Sequence, residues 1–469
     1  MKPQLLYLTG DNHALCTDLY ELTMAAAYFQ AGVREVRATF ELFTRELPPH
    51  RNFFLAAGLE QALAYLSELR FSGEDIDYLR SLPVFENCCR EFFEYLREFR
   101  FTGDVWALPE GTPFFADEPV LQVEAPVIEA QLVETYLINI VNVQTMVATK
   151  AARLVACAGG KPVVDFGSRR AHGPHTAVLA ARAAYIGGCA GTSNVLAGRL
   201  LGIPVFGTMA HSFVQFFADE AAAFAAFARV FGANTTLLVD TYDIRAGIER
   251  AARFPGEIAG IRIDSGNLVA WAKEARRVLD TAGRRQARIL TSGSLHEADL
   301  LRFRDEKAPV DGYGVGTELV VSSDAPGCDL VYKLVQVQHP GNAPEPRFKA
   351  SPGKETWPYR KQIFRRSQGG RAAGDLLARY DEIPGGMFQD ARPLLRQVMA
   401  GGEICGELPG LEATKEYAAA AMAELPEPVR DPCRRACYPV EVSEGLQEAR
   451  RRLLAEHVGN PGPGGREEP

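Results

Sequence analysis

From Pro162 onward the chain repeats one pattern: a short apolar β-type run, a loop rich in glycine and polar residues, then a stretch long enough to be a crossover helix. The runs lie at 162–166, 203–207, 236–239, 258–263, 288–290 and 312–315. Residues 268–281 show the helical half of the repeat, with Leu268, Ala272, Ala275, Val278 and Leu279 on one face. Strands that alternate with helices in this way pair in parallel through right-handed crossovers. With about six such units, an α/β fold closed as an irregular (β/α) barrel is expected over an open sheet, and in both arrangements ligands bind beyond the carboxyl ends of the strands.

The 469 residues are enough for roughly three folded units. The expected division is an N-terminal α/β domain over 1–128, the barrel over 129–335, and a C-terminal segment over 336–469. The first of these opens with a helix over 18–28, capped by Thr17 or Asp18. It closes with strand-like pairs over 101–128, broken by Gly103, Pro109, Gly111, Pro113, Pro119 and Pro126, which read as a small antiparallel unit. Residues 129–157 read as helical. The C-terminal segment is expected to carry an edge strand at 347–351, a final helix at 442–454 and a disordered tail from about residue 459.

Composition narrows the function classes. Lys and Arg number 51 against 59 Asp and Glu, so no global positive field gathers nucleic acid or an anionic membrane. The longest stretch without a charged residue, 200–218, contains Gly202, Pro204, Gly207, His211, Ser212 and Gln215, which is wrong for a membrane helix. The short apolar run after Lys2 ends near Asp11 without a small-residue cleavage site, so no secretory signal is expected. Nine cysteines without framework spacing fit reduced thiols and a cytoplasmic location. Cys433 and Cys437 have no nearby second Cys/His pair to complete a zinc site.

Polar residues collect after nearly every strand. Asp165-Phe166-Gly167-Ser168-Arg169-Arg170 places two guanidiniums on a glycine turn, suited to a carboxylate or phosphate, or else to a surface salt-bridge loop. In Gly207-Thr208-Met209-Ala210-His211-Ser212, His211 stands at a strand-to-helix turn, where an imidazole can serve phosphoryl or proton transfer, and Ser212 is a candidate cap. Asp240, Asp243 and Asp264 offer carboxylates for Mg²⁺ or a ribose, with helix capping by Asp243 and by Asp264 or Ser265 as the alternative. Ser292-Gly293-Ser294 and Gly314-Val315-Gly316-Thr317 offer backbone amides and hydroxyls to an anion, although Ser294 and Glu297 also have capping-box spacing. Neither the dinucleotide G-x-G-x-x-G nor the Walker A sequence is present. The residues alone therefore describe a site for a phosphorylated sugar with a metal and a small anionic co-substrate.

These segments, together with Thr17-Asp18-Leu19-Tyr20-Glu21-Leu22-Thr23-Met24 and Gly191-Thr192-Ser193-Asn194, resemble the nicotinate phosphoribosyltransferase family in the same order along most of the chain. The resemblance implies an irregular α/β barrel joined to an N-terminal α/β domain that the C-terminal segment completes, working as a head-to-tail homodimer. It also implies the substrates nicotinate and 5-phosphoribosyl 1-pyrophosphate, Mg²⁺, and ATP hydrolysis coupled through a phosphohistidine at His211. Further implied roles are stacking of the pyridine between Phe166 and the partner subunit's Tyr20, and binding of the carboxylate or a neighbouring phosphate by Arg169, with Arg170 beside it. Asp264 is implied to hold the ribose or Mg²⁺, and Gly314, Gly316 and Thr317 the 5-phosphate. Thr208, Ser212, Asp240, Ser292 and Gly293 are further expected substrate contacts. The related nicotinamide enzymes carry an aspartate near the position of Ser193, so a serine there favours the acid over the amide. The competing readings are the nicotinamide or quinolinate version of the transfer, a Schiff-base aldolase, for which Lys150, Lys161 and Lys273 supply no evident strand-end lysine, and a non-catalytic metabolite-binding barrel.

Overall fold

A computed structural model describes residues 12–458. The expected disordered tail from about 459 and the run after Lys2 lie outside them. By compactness the chain forms two units, one of residues 1–145, 327–429 and 435–469 and one of residues 146–326 and 430–434. The sequence reading divides it instead at 128 and 335. The boundaries move because the helix Glu134–Cys157 spans the first junction, and because Leu330–Gln338 pairs along its whole length with Arg37–Thr44.

The first unit is built on a seven-stranded sheet in the order 345–346, 330–338, 37–44, 121–126, 104–107, 396–400, 403–404. The C-terminal segment completes it, since Arg396–Ala400 adds antiparallel to Asp104–Ala107. Within 101–128, Asp104–Ala107 and Leu121–Pro126 are thus part of this larger sheet, while Pro113–Phe114 pairs with Phe54–Leu55 in a separate two-stranded one. The edge strand expected at 347–351 is displaced to Glu345–Pro346, where Pro346 has no N–H to continue a ladder. The last helix is Glu444–Val458. At the first helix, Leu19–Gln30, Asp18 occupies the cap position but accepts from the Thr135 hydroxyl instead of capping.

The second unit holds the repeat. Its strands are β1 (Val163–Asp165), β2 (Gly191–Thr192), β3 (Thr236–Leu238), β4 (Gly260–Ile263), β5 (Arg288–Thr291) and β6 (Gly312–Val315). They form one parallel sheet in the order β2-β1-β6-β5-β4-β3. The pairing of β6 with β1 brings the last strand beside the first, which is the strand order of a barrel left open between β2 and β3. The strand expected at 203–207 is reduced to a single parallel bridge from Val205 to Thr192, because Pro204 offers only its carbonyl, which accepts from Thr192 N at 3.0 Å. Among the described residues no ladder joins this segment to β3, so the barrel is irregular there. Apolar side chains such as Leu237, Ile261, Ile263 and Ile289 are fully buried, while Val164, Leu290, Gly312 and Gly314 line an interior cavity of about 350 Å³.

The first unit also buries charge. Arg365 and Asp375 pair at 2.6 Å, both essentially unexposed, and Glu118 is buried with them. Burial first, and the Asp375 carboxylate second, push the Glu118 carboxyl well above its ordinary value, while Arg365 works against that shift. The folded state therefore keeps a proton that the unfolded chain gives up near pH 4.5. Stability therefore falls as pH rises above that value. Glu118→Gln is expected to remove this slope, so its melting temperature gains on the wild type between pH 5 and 8. A constant difference over that range would show that Glu118 ionises normally.

Candidate active site

The turn after β1 is fixed by Asp165, whose carboxylate accepts from Gly167 N at 2.8 Å and from the Thr192 hydroxyl at 2.7 Å. Burial pushes this carboxyl above its ordinary value, and those two hydrogen bonds oppose the shift. Phe166 N donates to Val315 O and Ser193 N to Asp165 O, so the ends of β6, β1 and β2 are tied in sequence. Gly167 has no room for a side chain, since a Cβ there would lie 2.1 Å from Val320. Gly314 faces Phe166 in the same way, with a Cβ placed 2.4 Å from the ring. The aromatic ring is thereby seated on bare backbone.

Beside it opens a cavity of about 180 Å³, lined by Phe166, Arg169, Arg170, Arg262, Asp264, Ser292, Gly293, Ser294, Gly314, Gly316 and Thr317. Three guanidiniums face one carboxylate, which makes the cavity an anion site. Asp264 is oriented by its neighbours: its N–H and the Ser265 hydroxyl donate to the Asp240 carboxylate at 3.0 and 2.6 Å, and the Ser292 hydroxyl donates to its own. His211 Nε2 stands 4.0 Å from Asp264 and Arg262 Nε 3.9 Å from it. Across the ring, His211 Nδ1 meets the Thr241 hydroxyl at 3.2 Å.

Several local expectations are corrected. Helix capping explains Asp243, which accepts from Ala246 N, but Asn267 and not Asp264 or Ser265 caps the helix after β4. Helix His211–Phe216 has Ala210 at its cap position, and Ser212 is an exposed residue inside it. The capping box after β5 is His296 with Asp299, which leaves Ser294, at φ 51°, for the cavity wall.

Of the predicted residues, Phe166, Arg169, Arg170, Asp264, Ser292, Gly293, Gly314, Gly316 and Thr317 line the one cavity. Thr208 lines the barrel interior, Asp240 and His211 contact Asp264 or its loop, and Ser193 and Ser212 line neither cavity. Tyr20 belongs to the other unit, where it is 46% exposed and its hydroxyl bonds to Glu134. Arg262 was not anticipated. Its Nη1 donates to the Thr208 hydroxyl at 2.6 Å, its buried Nε has no hydrogen-bond partner, and burial lowers its proton affinity against the pull of Asp264 and Asp240. A cation between Ile261 and Ile263 in a barrel strand was the available signal.

A parallel α/β barrel with an arginine-rich site at its strand ends defines a phosphate- or carboxylate-handling fold. Residues 15–142 match the nicotinate phosphoribosyltransferase (NAPRTase) N-terminal domain, 162–285 the nicotinate phosphoribosyltransferase (NAPRTase) family, and 386–450 the nicotinate phosphoribosyltransferase C-terminal domain. The nicotinate phosphoribosyltransferase pncB2 of Mycobacterium tuberculosis is 46% identical, with 92% of each chain covered. Its Bacillus subtilis counterpart is 37% identical over 92% of this chain and 94% of its own. The crystal structure of human nicotinic acid phosphoribosyltransferase superposes with a TM-score of 0.82 at 30% identity, covering 93% of this chain and 99% of that one. The chain belongs to the nicotinate phosphoribosyltransferase family.

Gly314→Ala tests the seat of the aromatic ring. The added methyl is expected to displace Phe166 and to lower kcat/KM at least about tenfold in a protein that still folds. An unchanged kcat/KM would show that the ring's position does not matter.

Proposed function

We propose that this chain is a nicotinate phosphoribosyltransferase, forming nicotinate mononucleotide and pyrophosphate from nicotinate and 5-phosphoribosyl 1-pyrophosphate in NAD salvage. The observation that carries the reading is the cavity in which three arginines oppose one carboxylate beside a ring seated on Gly314. Phe166 offers the pyridine a flat apolar face, and Arg169 takes its carboxylate. The pyridine nitrogen is already a nucleophile, so the chain's task is to align it with the anomeric carbon and to stabilise the departing pyrophosphate. Amides and hydroxyls of Ser292, Gly293, Gly314, Gly316 and Thr317 suit the sugar phosphates, with Arg170 and Arg262 supplying positive charge. Ser193, at the end of β2 and outside the cavity lining, brings no carboxylate that would repel the acid.

Asp264 suits Mg²⁺ as a single protein carboxylate, with the buried, unpartnered Oδ1 of Asp240 behind it. Mg²⁺ takes one or two carboxylates together with waters and substrate phosphates, which a site of this kind can supply. Bound there, Mg²⁺ would neutralise charge on the leaving pyrophosphate. His211 sits at the rim beside Asp264 and is suited to receive the γ-phosphoryl of ATP: the phosphorus–oxygen bond to ADP breaks as a bond to a ring nitrogen forms. The phosphohistidine adds charge and acceptor oxygens that reorganise the neighbouring loops before water removes the phosphoryl. The same reading includes a head-to-tail homodimer, in which the half-exposed Tyr20 of the partner subunit covers the pyridine. It also includes a cytoplasmic setting, which nine free cysteines favour.

Incubation with nicotinate, the activated ribose, Mg²⁺ and ATP is expected to yield mononucleotide, with nicotinamide and quinolinate poor substrates. No product from any of the three pyridines would overturn the reading. His211→Ala is expected to abolish labelling of the protein by γ-labelled ATP and the stimulation of turnover by ATP, leaving slow transfer. Labelling that persists would move the modification elsewhere. Arg169→Ala is expected to raise the nicotinate KM at least about tenfold, and an unchanged KM would place the carboxylate at another residue.

A further inference from the structure

The chemistry above leaves unused a lysine that is almost completely buried. Lys150, on the helix Glu134–Cys157, is 1% exposed, and its Nζ donates to Glu297 at 2.6 Å and to Asp324 at 2.9 Å, with Glu318 at 3.9 Å. Arg153, one helical turn on, donates through Nε to the other oxygen of Glu297 at 2.9 Å. Burial opposes ionisation of Glu297, but Lys150 and Arg153 outweigh it and hold the carboxyl below its ordinary value. Two cations thus bind three carboxylates within the barrel unit.

The position of those carboxylates in the chain gives the cluster a role. Glu297 is the first residue of the helix Glu297–Asp305, three residues after the loop that carries Ser292, Gly293 and Ser294. Glu318 is the second residue of the helix Thr317–Val320, directly after Gly314, Gly316 and Thr317. These two loops supply six of the eleven residues lining the anion cavity. They belong to successive strands, β5 and β6, and the carboxylates just beyond both converge on one ammonium. A buried ion cluster adds little stability over apolar residues of the same size, so stability alone does not account for it. Removing the ammonium takes away the cation that Glu297, Glu318 and Asp324 share and leaves Glu297 with Arg153.

We propose that Lys150 is a positioning residue that sets the spacing of the two loops facing the sugar phosphate, by drawing Glu297, Glu318 and Asp324 to one point. The proposal rests on the phosphoribosyl reading of the cavity. It assigns Lys150 no covalent step, which agrees with its having no place at a strand end.

The test measures both substrates and a binding readout independent of turnover. Lys150→Met is expected to raise the KM for 5-phosphoribosyl 1-pyrophosphate about tenfold or more, to weaken ribose 5-phosphate binding in calorimetry by a similar factor, and to leave the nicotinate KM within about twofold. Glu318→Gln and Asp324→Asn, at carboxylates that are each 26% exposed, are expected to act in the same direction by about two- to fivefold, and they carry the test if Lys150→Met does not fold. Equal effects on both substrates, or ribose 5-phosphate affinity unchanged in all soluble variants, would overturn the proposal. A wild-type chain that binds ribose 5-phosphate yet makes no mononucleotide would fault the functional reading and leave the positioning one standing.

Discussion

A guanidinium that lines a barrel interior is costly unless an anion meets it, and Arg262 is met only in part. Its Nη1 has the Thr208 hydroxyl, its Nε has no hydrogen-bond partner, and Asp264 stands 3.9 Å off. With Arg169 and Arg170 on the same cavity wall, the positive charge exceeds what the protein itself returns. Such a cavity suits a ligand that brings negative charge, as the proposed function requires.

That arrangement depends on carboxylates that hold the turns around the cavity. Asp165 ties the turn carrying Phe166 to the end of the adjacent strand, and Asp240 holds the Asp264 turn. Glycine does the complementary work, because Gly167 and Gly314 let backbone approach where any side chain would collide. On the proposed reading, a site held in this way aligns a ready nucleophile, which is where such a transfer finds most of its rate.

The strand-and-glycine rhythm made the barrel and most of its strand-end residues legible in the sequence, since period and turn chemistry are local properties. Arg262 escaped because a charged residue within a short strand looks like solvent-side alternation until the barrel's inside is known. The segment 203–207 was apolar enough for a strand, yet Pro204 and the gap beside β3 cut it to one bridge. The capping box misassigned to Ser294 shows the limit of spacing alone, because Ser294 adopts a left-handed conformation that only the fold reveals. The unit boundaries were set by long-range pairing of Arg37–Thr44 with Leu330–Gln338, which no local pattern records.

The charge imbalance is open to direct measurement by calorimetric titration of 5-phosphoribosyl 1-pyrophosphate into the wild type and Arg262→Ala at two salt concentrations. The wild type should bind more tightly at low salt, and the variant should lose at least about tenfold in affinity together with part of the salt dependence. Equal affinity and equal salt dependence in the two proteins would contradict the claim that unpaired positive charge at the barrel mouth is what binds the activated sugar.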